Sequence, residues 1–314
     1  MPTVEKPAIS VIIPTRDRSE MLCDALDSVA AQTFRDYEVI VIDDGSIEPV
    51  ANAVSGHPCK PRVIRHAVAR GPAAARNRGV REAAAETVAF LDSDDLWLPD
   101  KLARFHAELN RSKRQILYGP MHPIDERGNR VPGRTKPCYD GWITERLFCS
   151  SFVHVPTVVC RKSILIKNGG FDESLPVCED YDLWLRISLS QPFGLVEEPL
   201  AERRLHPSRL SKACMSRNLN VKARVLQRFA EHANGQLDLD VANRRLARAC
   251  YVASRAAFWD GRFRLSREMY CASRTYGATW VRSLPIGWAS RALVHFEGEA
   301  SDPEPVVAAD SASS

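Results

Sequence analysis

No part of the chain holds the run of about 18 apolar residues that a membrane-crossing helix needs, and the opening MPTVEKPAIS lacks the charged-then-apolar order of a secretion signal. A cytoplasmic protein that neither spans a membrane nor is exported by that route is expected. The nine cysteines are scattered and odd in number, with no C-x-x-C pair and no Cys/His quartet at zinc spacing. Reduced thiols are expected rather than disulfides or a zinc site. An excess of one charge is missing too: 43 Lys and Arg against 39 Asp and Glu leave a net +4, too slight to argue for nucleic acid. There is no G-x-G-x-x-G after the first strand, no G-x-x-x-x-G-K-[ST], no G-x-S-x-G and no H-E-x-x-H. Dehydrogenases, P-loop NTPases, α/β-hydrolases and zincins drop out with those motifs.

What is present is 314 residues, 45% hydrophobic and 26% charged, enough for one large or two modest domains with their own cores. The first half alternates strand-like and helix-like stretches. Strands are expected at residues 9–13, stopped by Pro14, and at 38–42, 62–68 and 87–91; helices are expected from a Ser19 cap onward, with Leu22, Ala25, Leu26 and Val29 on one face, and at 72–85. Strands and helices joined by short connections imply an α/β fold with a mainly parallel sheet flanked by helices, whose ligands bind beyond the carboxyl ends of the strands. Asp43-Asp44-Gly45-Ser46 and Asp92-Ser93-Asp94-Asp95 fall at two of those ends.

From about residue 116 to 211 the pattern is less regular, with a helix beginning near Asp180 that carries Tyr181, Trp184, Leu185 and Ser188 on one side. From about Asn218 the chain turns to helices rich in Ala, Arg and Leu. Gly261, Ser266, Tyr270 and Ser273 echo one tetratricopeptide-like hairpin, but a single copy reads better as a plain helical hairpin packed on the main domain. The expected division is residues 1–212, a C-terminal α-helical region at 213–300, and a small, polar, disordered tail at 301–314.

Three carboxylates converging after a buried strand repel one another unless something positive offsets them. A divalent cation is the simplest answer. An EF-hand is excluded, because its sixth and twelfth positions would be Trp97 and Ala103. Oxygen-only ligands suit Mn2+ or Mg2+ bridging protein carboxylates to substrate phosphates. Acidic caps for a helix at residues 98–110 would explain Asp94 or Asp95, though not the whole set.

Six pieces of this chain, taken together and in order, resemble the family 2 glycosyltransferases. They are Val11-Ile12-Ile13-Pro14-Thr15, Val41-Ile42-Asp43-Asp44-Gly45-Ser46, the run from Gly71-Pro72 through Arg76-Asn77-Arg78-Gly79, Phe90-Leu91-Asp92-Ser93-Asp94-Asp95, Gly169-Gly170-Phe171-Asp172-Glu173 and Cys178-Glu179-Asp180-Tyr181-Asp182-Leu183-Trp184. The resemblance covers roughly the first two-thirds of the chain and stops near Lys212. It implies a GT-A nucleotide-sugar-binding domain. Pro14, Thr15, Asp43 and Asp44 would hold the base, Arg76 would pair with the nucleotide, Asp92 with Ser93 beside it would meet the ribose, and Asp94 with Asp92 would ligate the metal on the pyrophosphate. Asp180, with Glu179 beside it, would be the general base in an inverting transfer, and a carboxylate at a helix N-terminus is expected to stay ionised and weakly basic. His206 lies in a segment that in relatives comes near the diphosphate; a metal ligand and an uninvolved loop histidine both remain open. Processive members carry Q-x-x-R-W and flanking membrane helices, which this chain lacks, so transfer of a single sugar is expected.

The expected partners are a nucleotide-sugar donor, most simply a UDP-sugar, and a saccharide or lipid-linked acceptor, in the making of surface polysaccharide or glycoconjugate. A nucleotidyltransferase would open with a Gly-rich, Lys/Arg-bearing loop, and Pro14-Thr15-Arg16-Asp17-Arg18 has no glycine. A non-catalytic binding module is disfavoured by the intact Asp92, Asp94 and Asp180. Trp280, Leu284, Trp288 and Phe296, with Arg282 and Arg291 between them, could meet an anionic membrane surface, the main domain or a second copy of the chain; burial against protein is expected. Trp97 and Trp184 are expected in the core rather than stacked on sugar.

Overall fold

The computed structural model describes residues 6–133, 136–206, 215–233 and 235–277. The apolar stretch at 280–296 and the tail at 301–314 lie outside these. A seven-stranded sheet forms the centre. Its strands are β1 (Ile9–Thr15), β2 (Tyr37–Asp43), β3 (Arg62–Arg65), β4 (Thr87–Phe90), β6 (Ile116–Tyr118), β8 (Val159–Arg161) and β9 (Gly194–Leu195), in the order β3-β2-β1-β4-β8-β6-β9. The β3-β2-β1-β4 half is parallel, β8 runs antiparallel to both its neighbours, and β9 is parallel to β6. A small second sheet, β5 (Leu96–Trp97), β10 (Ala201–Arg204) and β7 (Met121–Ile124), carries the chain that follows the acidic turn.

Pro14 does not stop β1. The Ile12 carbonyl accepts from Leu91 on the β4 side and the Thr15 carbonyl accepts from Asp44 on the β2 side, so Pro14, in phase with Ile12, turns its missing N–H toward β4. The β4 ladder has already ended at the Ile12–Phe90 pair, and no hydrogen bond is lost. The third strand ends at Arg65 because the loop beyond it is drawn in by Asp44, which accepts from the backbone N–H groups of Arg70 and Gly71.

Six further helices flank the sheet: α1 (Ser19–Ala30), α2 (Pro72–Glu82), α3 (Lys101–Ser112), α4 (Thr144–Cys149), α5 (Lys162–Lys167) and α6 (Glu179–Ser188). Leu22, Ala25, Leu26 and Val29 of α1 are buried, but Ser19 is the first helical residue, Arg18 occupies the cap position, and no side chain caps the helix. Helix α2 opens on Gly71 at φ +92° followed by Pro72, a residue pair suited to a sharp entry. It lies so close to β1 that a Cβ on Gly79 would stand 2.3 Å from Ile12 Cγ2. Helix α3 begins at Lys101 after β5, so Asp94 and Asp95 are too far back to cap it.

The C-terminal helices α7 (Met215–His232), α8 (Leu239–Trp259) and α9 (Phe263–Thr275) share the sheet's hydrophobic core through Ala223, Leu226, Phe229 and Leu246. Arg228 donates to Asp182 at 2.7 Å and Asp172 at 2.8 Å, pinning α7 to α6. The α8–α9 pair is a single hairpin, with Ser254 donating to the Ser266 carbonyl at 2.8 Å inside it. Trp97 and Trp184 are both buried. The eight described cysteines are unbonded, and among the described residues no helix is long and apolar enough to cross a membrane.

Candidate active site

The loops after β1, β2 and β4 and the N-terminus of α6 meet over the carboxyl ends of the parallel strands. At the β2 end both aspartates are buried and fully engaged. Asp43 accepts from Ser46 N–H at 2.9 Å and from Arg65 at 3.2 Å. Asp44 accepts from His66 Nδ1 at 2.8 Å, Arg70 N–H at 2.9 Å and Gly71 N–H at 2.7 Å. Two buried polar atoms beside them, Thr15 Oγ1 and His66 Nε2, have no protein partner among the described residues. An orphaned polar pair at a strand-end crevice is what a ligand's polar edge would satisfy.

Arg76 is the hinge of the site. Helix α2 carries it, 5% exposed, to a point where Nη2 donates to Asp92 at 2.7 Å and Nη1 donates to Glu179 at 2.6 Å. Burial works against its charge, but Asp92, Glu179 and Asp180 outweigh that and raise its pKa. The β4 turn and the start of α6, 87 residues apart in sequence, are thereby joined in one crevice. Both terminal nitrogens of Arg76 are in ion pairs, and its buried Nε has no partner among the described residues.

Asp92, Asp94 and Asp95 each offer a carboxylate oxygen within 4.8 Å of the others, a hard-oxygen set that fits Mn2+ or Mg2+. Burial raises the pKa of Asp92, with Asp94 and Glu179 adding to the effect and Arg76 opposing it. Asp94 Oδ2 accepts from Arg18 at 2.8 Å and lies 2.9 Å from His206 Nε2, and that histidine is buried. Asp95 instead accepts from the backbone N–H of Arg204 at 3.0 Å, and Ser93 is buried in the same turn. The Arg204 side chain runs back to the Asp94 carbonyl at 3.3 Å and to Asp24 at 2.8 Å, clamping β10 to the turn.

Asp180 sits in the first turn of α6, two residues after Cys178, whose φ of +63° sets the entry into the helix. Its Oδ1 accepts from the N–H of Tyr181 at 2.7 Å. Burial first, then the neighbouring Glu179, push its pKa up to about 7, with Arg76 pulling the other way. That reverses the expectation of a weakly basic, always ionised carboxylate: desolvation and a like charge outweigh the helix dipole.

Sequence pattern does not single out Arg18 or His66, whereas Arg204 lies in the segment that carries His206. Arg18 stands in the same Thr-Arg-Asp-Arg turn that was read for its lack of glycine, and Arg204 two residues before His206. Of the first two, only His66 has a positional cue, at the end of the strand beside the Asp43-Asp44 turn.

A sheet of this order, with helices on its faces and an acid-rich crevice at the carboxyl ends of its strands, defines a GT-A glycosyltransferase. The chain belongs to glycosyl transferase family 2, whose model matches residues 10–168. An uncharacterized glycosyltransferase of Rickettsia felis is 32% identical over 200 residues, 63% of this chain but 33% of the relative, so the match spans about a third of that protein's length. The amylovoran biosynthesis glycosyltransferase AmsB of Erwinia amylovora is 30% identical over 207 residues, 62% of this chain and 68% of the relative. Residues 1–349 of S. aureus TarS share the fold at a TM-score of 0.64 and 20% identity, over 92% of this chain and 87% of that one. Its crystal structure in complex with UDP-GlcNAc aligns at 0.63 and 19%, over 92% of each chain.

Proposed function

We propose that the protein transfers a single sugar, with inversion, from a UDP-sugar to a hydroxyl of a saccharide or lipid-linked acceptor, in the making of a surface polysaccharide. The observation that carries this reading is the Arg76 bridge, which sets the Asp92 to Asp94 turn and the Asp180 carboxylate on one crevice. The complexes of TarS with UDP and with UDP-GlcNAc support the donor class, and the name of AmsB supports the polysaccharide setting.

Pro14 and Thr15 at the end of β1, with Asp43 and Asp44, take the base; the orphaned Thr15 Oγ1 is the atom that its edge would satisfy. Asp92 and Ser93 take the ribose side, and Arg76 fixes Asp92 in place. Asp94 and Asp92 would hold Mn2+ or Mg2+, with His206 against the same Asp94 oxygen. Such a cation, when bound, offsets the negative charge that builds on the departing diphosphate. Asp180 accepts the proton of the attacking hydroxyl: Oδ1 is held by Tyr181 N–H, and Oδ2 makes no hydrogen bond among the described residues. A carboxyl titrating near 7 is better matched to this task than an ordinary aspartate. Glu179 is occupied by Arg76 and serves Asp180 by raising its basicity. Residues 1–212 would hold this chemistry, with helices α7 and α8 packed against the same core.

A panel of sugar nucleotides with Mn2+ in a thermal-shift assay tests the donor, since a ligand at 100 times its Kd stabilises by about 2.7 kcal/mol. Stabilisation by a UDP-sugar that EDTA removes is expected. No shift with any donor, or full turnover in EDTA, would overturn the reading. Turnover itself separates it from a binding module, and pyrophosphate release from a sugar phosphate and UTP would mark a nucleotidyltransferase.

A further inference from the structure

Helices α7 and α8 and the loop after α4 enclose a cleft of about 600 Å³ that the transfer chemistry does not use. Lys136, Lys222, Arg244, Arg245 and Arg248 line it, and no carboxylate does among its described lining residues. Among the described residues none of these five cations takes part in an ion pair. Lys136 donates to the Ser151 carbonyl, Arg245 to the Phe148 carbonyl at 3.1 Å, and Lys222 stands 5.2 Å over the ring of Tyr181. Burial lowers the pKa of Lys222, and Arg245 and Lys136 lower it further; burial also lowers that of Lys136, with Arg203 and Arg245 adding to it. Burial and the repulsion of Arg245 and Lys136 weigh on the Lys222 charge against the opposite pull of Asp180, and a bound anion would relieve that repulsion.

Lys222 ties the cleft to the first turn of α6. Tyr181, under Lys222, follows Asp180 directly, and its hydroxyl donates to the same Phe148 carbonyl that Arg245 holds. The negative charge of Asp180 acts on Lys222. Guanidinium forks and ammonium groups around a single cleft suit the tetrahedral, anionic oxygens of a phosphate, singly charged in a diester and up to doubly charged in a monoester.

We propose that this cleft binds a phosphate group of the acceptor and so brings the acceptor's hydroxyl to Asp180. The proposal rests on the transferase reading for the acceptor's role, but the binding itself needs neither donor nor metal. The test is therefore run in EDTA with the full chain. One arm uses a fluorescent oligomer of glycerol phosphate, the other phosphatidylcholine vesicles with and without a tenth of phosphatidic acid. Arg244→Gln/Arg248→Gln should weaken binding about tenfold, and Arg244→Glu/Arg248→Glu should abolish it. The charge-matched pair Arg104→Glu/Arg111→Glu on α3 should bind as the native protein does.

Capture of the soluble oligomer, lost in the cleft variants, supports a phosphorylated saccharide or polyol. Capture of phosphatidic acid vesicles alone, lost in the same variants, supports a lipid phosphate. The proposal is overturned if the native protein binds neither, if the cleft variants bind as well as the native protein, if the α3 pair loses as much, or if a galacturonate oligomer binds equally well. A UDP plus Mn2+ thermal shift reports separately on the fold and on the donor reading, so the two failures are told apart.

Discussion

The two ends of the crevice solve the same electrostatic problem in opposite ways. At the β2 end, Asp43 and Asp44 are buried, yet every carboxylate oxygen already has a protein donor, from Ser46, Arg65, His66, Arg70 and Gly71. At the β4 and α6 end, Asp92, Asp94 and Glu179 pair with Arg76, Arg18 and His206, and among the described residues Asp180 beside them has no ion pair. The first end is built to keep its shape. The second is built to gain a cation and to lose or accept a proton, and its perturbed Asp92 and Asp180 are the mark of that.

The largest effect should come from breaking the reactive end. Asp180→Asn is expected to bind a UDP-sugar normally and to lose about 10²–10⁴-fold in kcat. Near-native turnover would remove Asp180 as the base. In the native protein the acid limb of kcat/KM should have its midpoint near 7, activity falling as the pH drops through that value because the base is then protonated.

Next comes the bridge between the ends. Arg76→Leu leaves the buried Glu179 and the partly exposed Asp92 without their shared partner, which is expected to cost about 3 kcal/mol. Denaturant unfolding measures it. A loss below about 1 kcal/mol would mean that the two carboxylates simply take up protons.

The base end should yield less. Asp44→Ala orphans the ring of the buried His66, while the N–H groups of the exposed Arg70 and partly exposed Gly71 turn to water, at a cost of about 1–3 kcal/mol in all. Its signature is a weakened UDP affinity with an unchanged acid limb. A shift of that limb would show that the two ends are electrostatically one.

The parallel half of the sheet was legible because β-branched runs such as Val39 to Ile42 alternate with helices whose buried faces recur at helical spacing. The aspartates Asp43, Asp44, Asp92 and Asp94 stand out in the sequence because they fall at the ends of β2 and β4. Three things were not legible. Pro14 reads as a strand stop unless the length of β4 is known. The positions of β5 and β10 depend on a ladder between residues about a hundred apart, which no local pattern records. And Arg76 reads as a surface charge or a nucleotide ligand, because its pairing with Glu179 is a tertiary fact.

The last effect is a sign. Were Asp180 a plain helix cap, removing it would cost about 1 kcal/mol at every pH at which it is ionised. The cap position belongs to Cys178, and burial beside Glu179 makes the charge on Asp180 unfavourable. A carboxyl whose folded pKa lies above its unfolded value near 3.8 contributes full stability below that value and loses it as the pH climbs to about 7. Asn mimics the protonated form at all pH values. The Tm of Asp180→Asn should therefore exceed the native Tm at pH 8 and fall back to it by pH 4, a difference of about 2–4 °C per kcal/mol for a chain of this size. A variant less stable than the native protein at pH 8 would place Asp180 with Asp44, as a carboxylate that holds the backbone and waits for nothing.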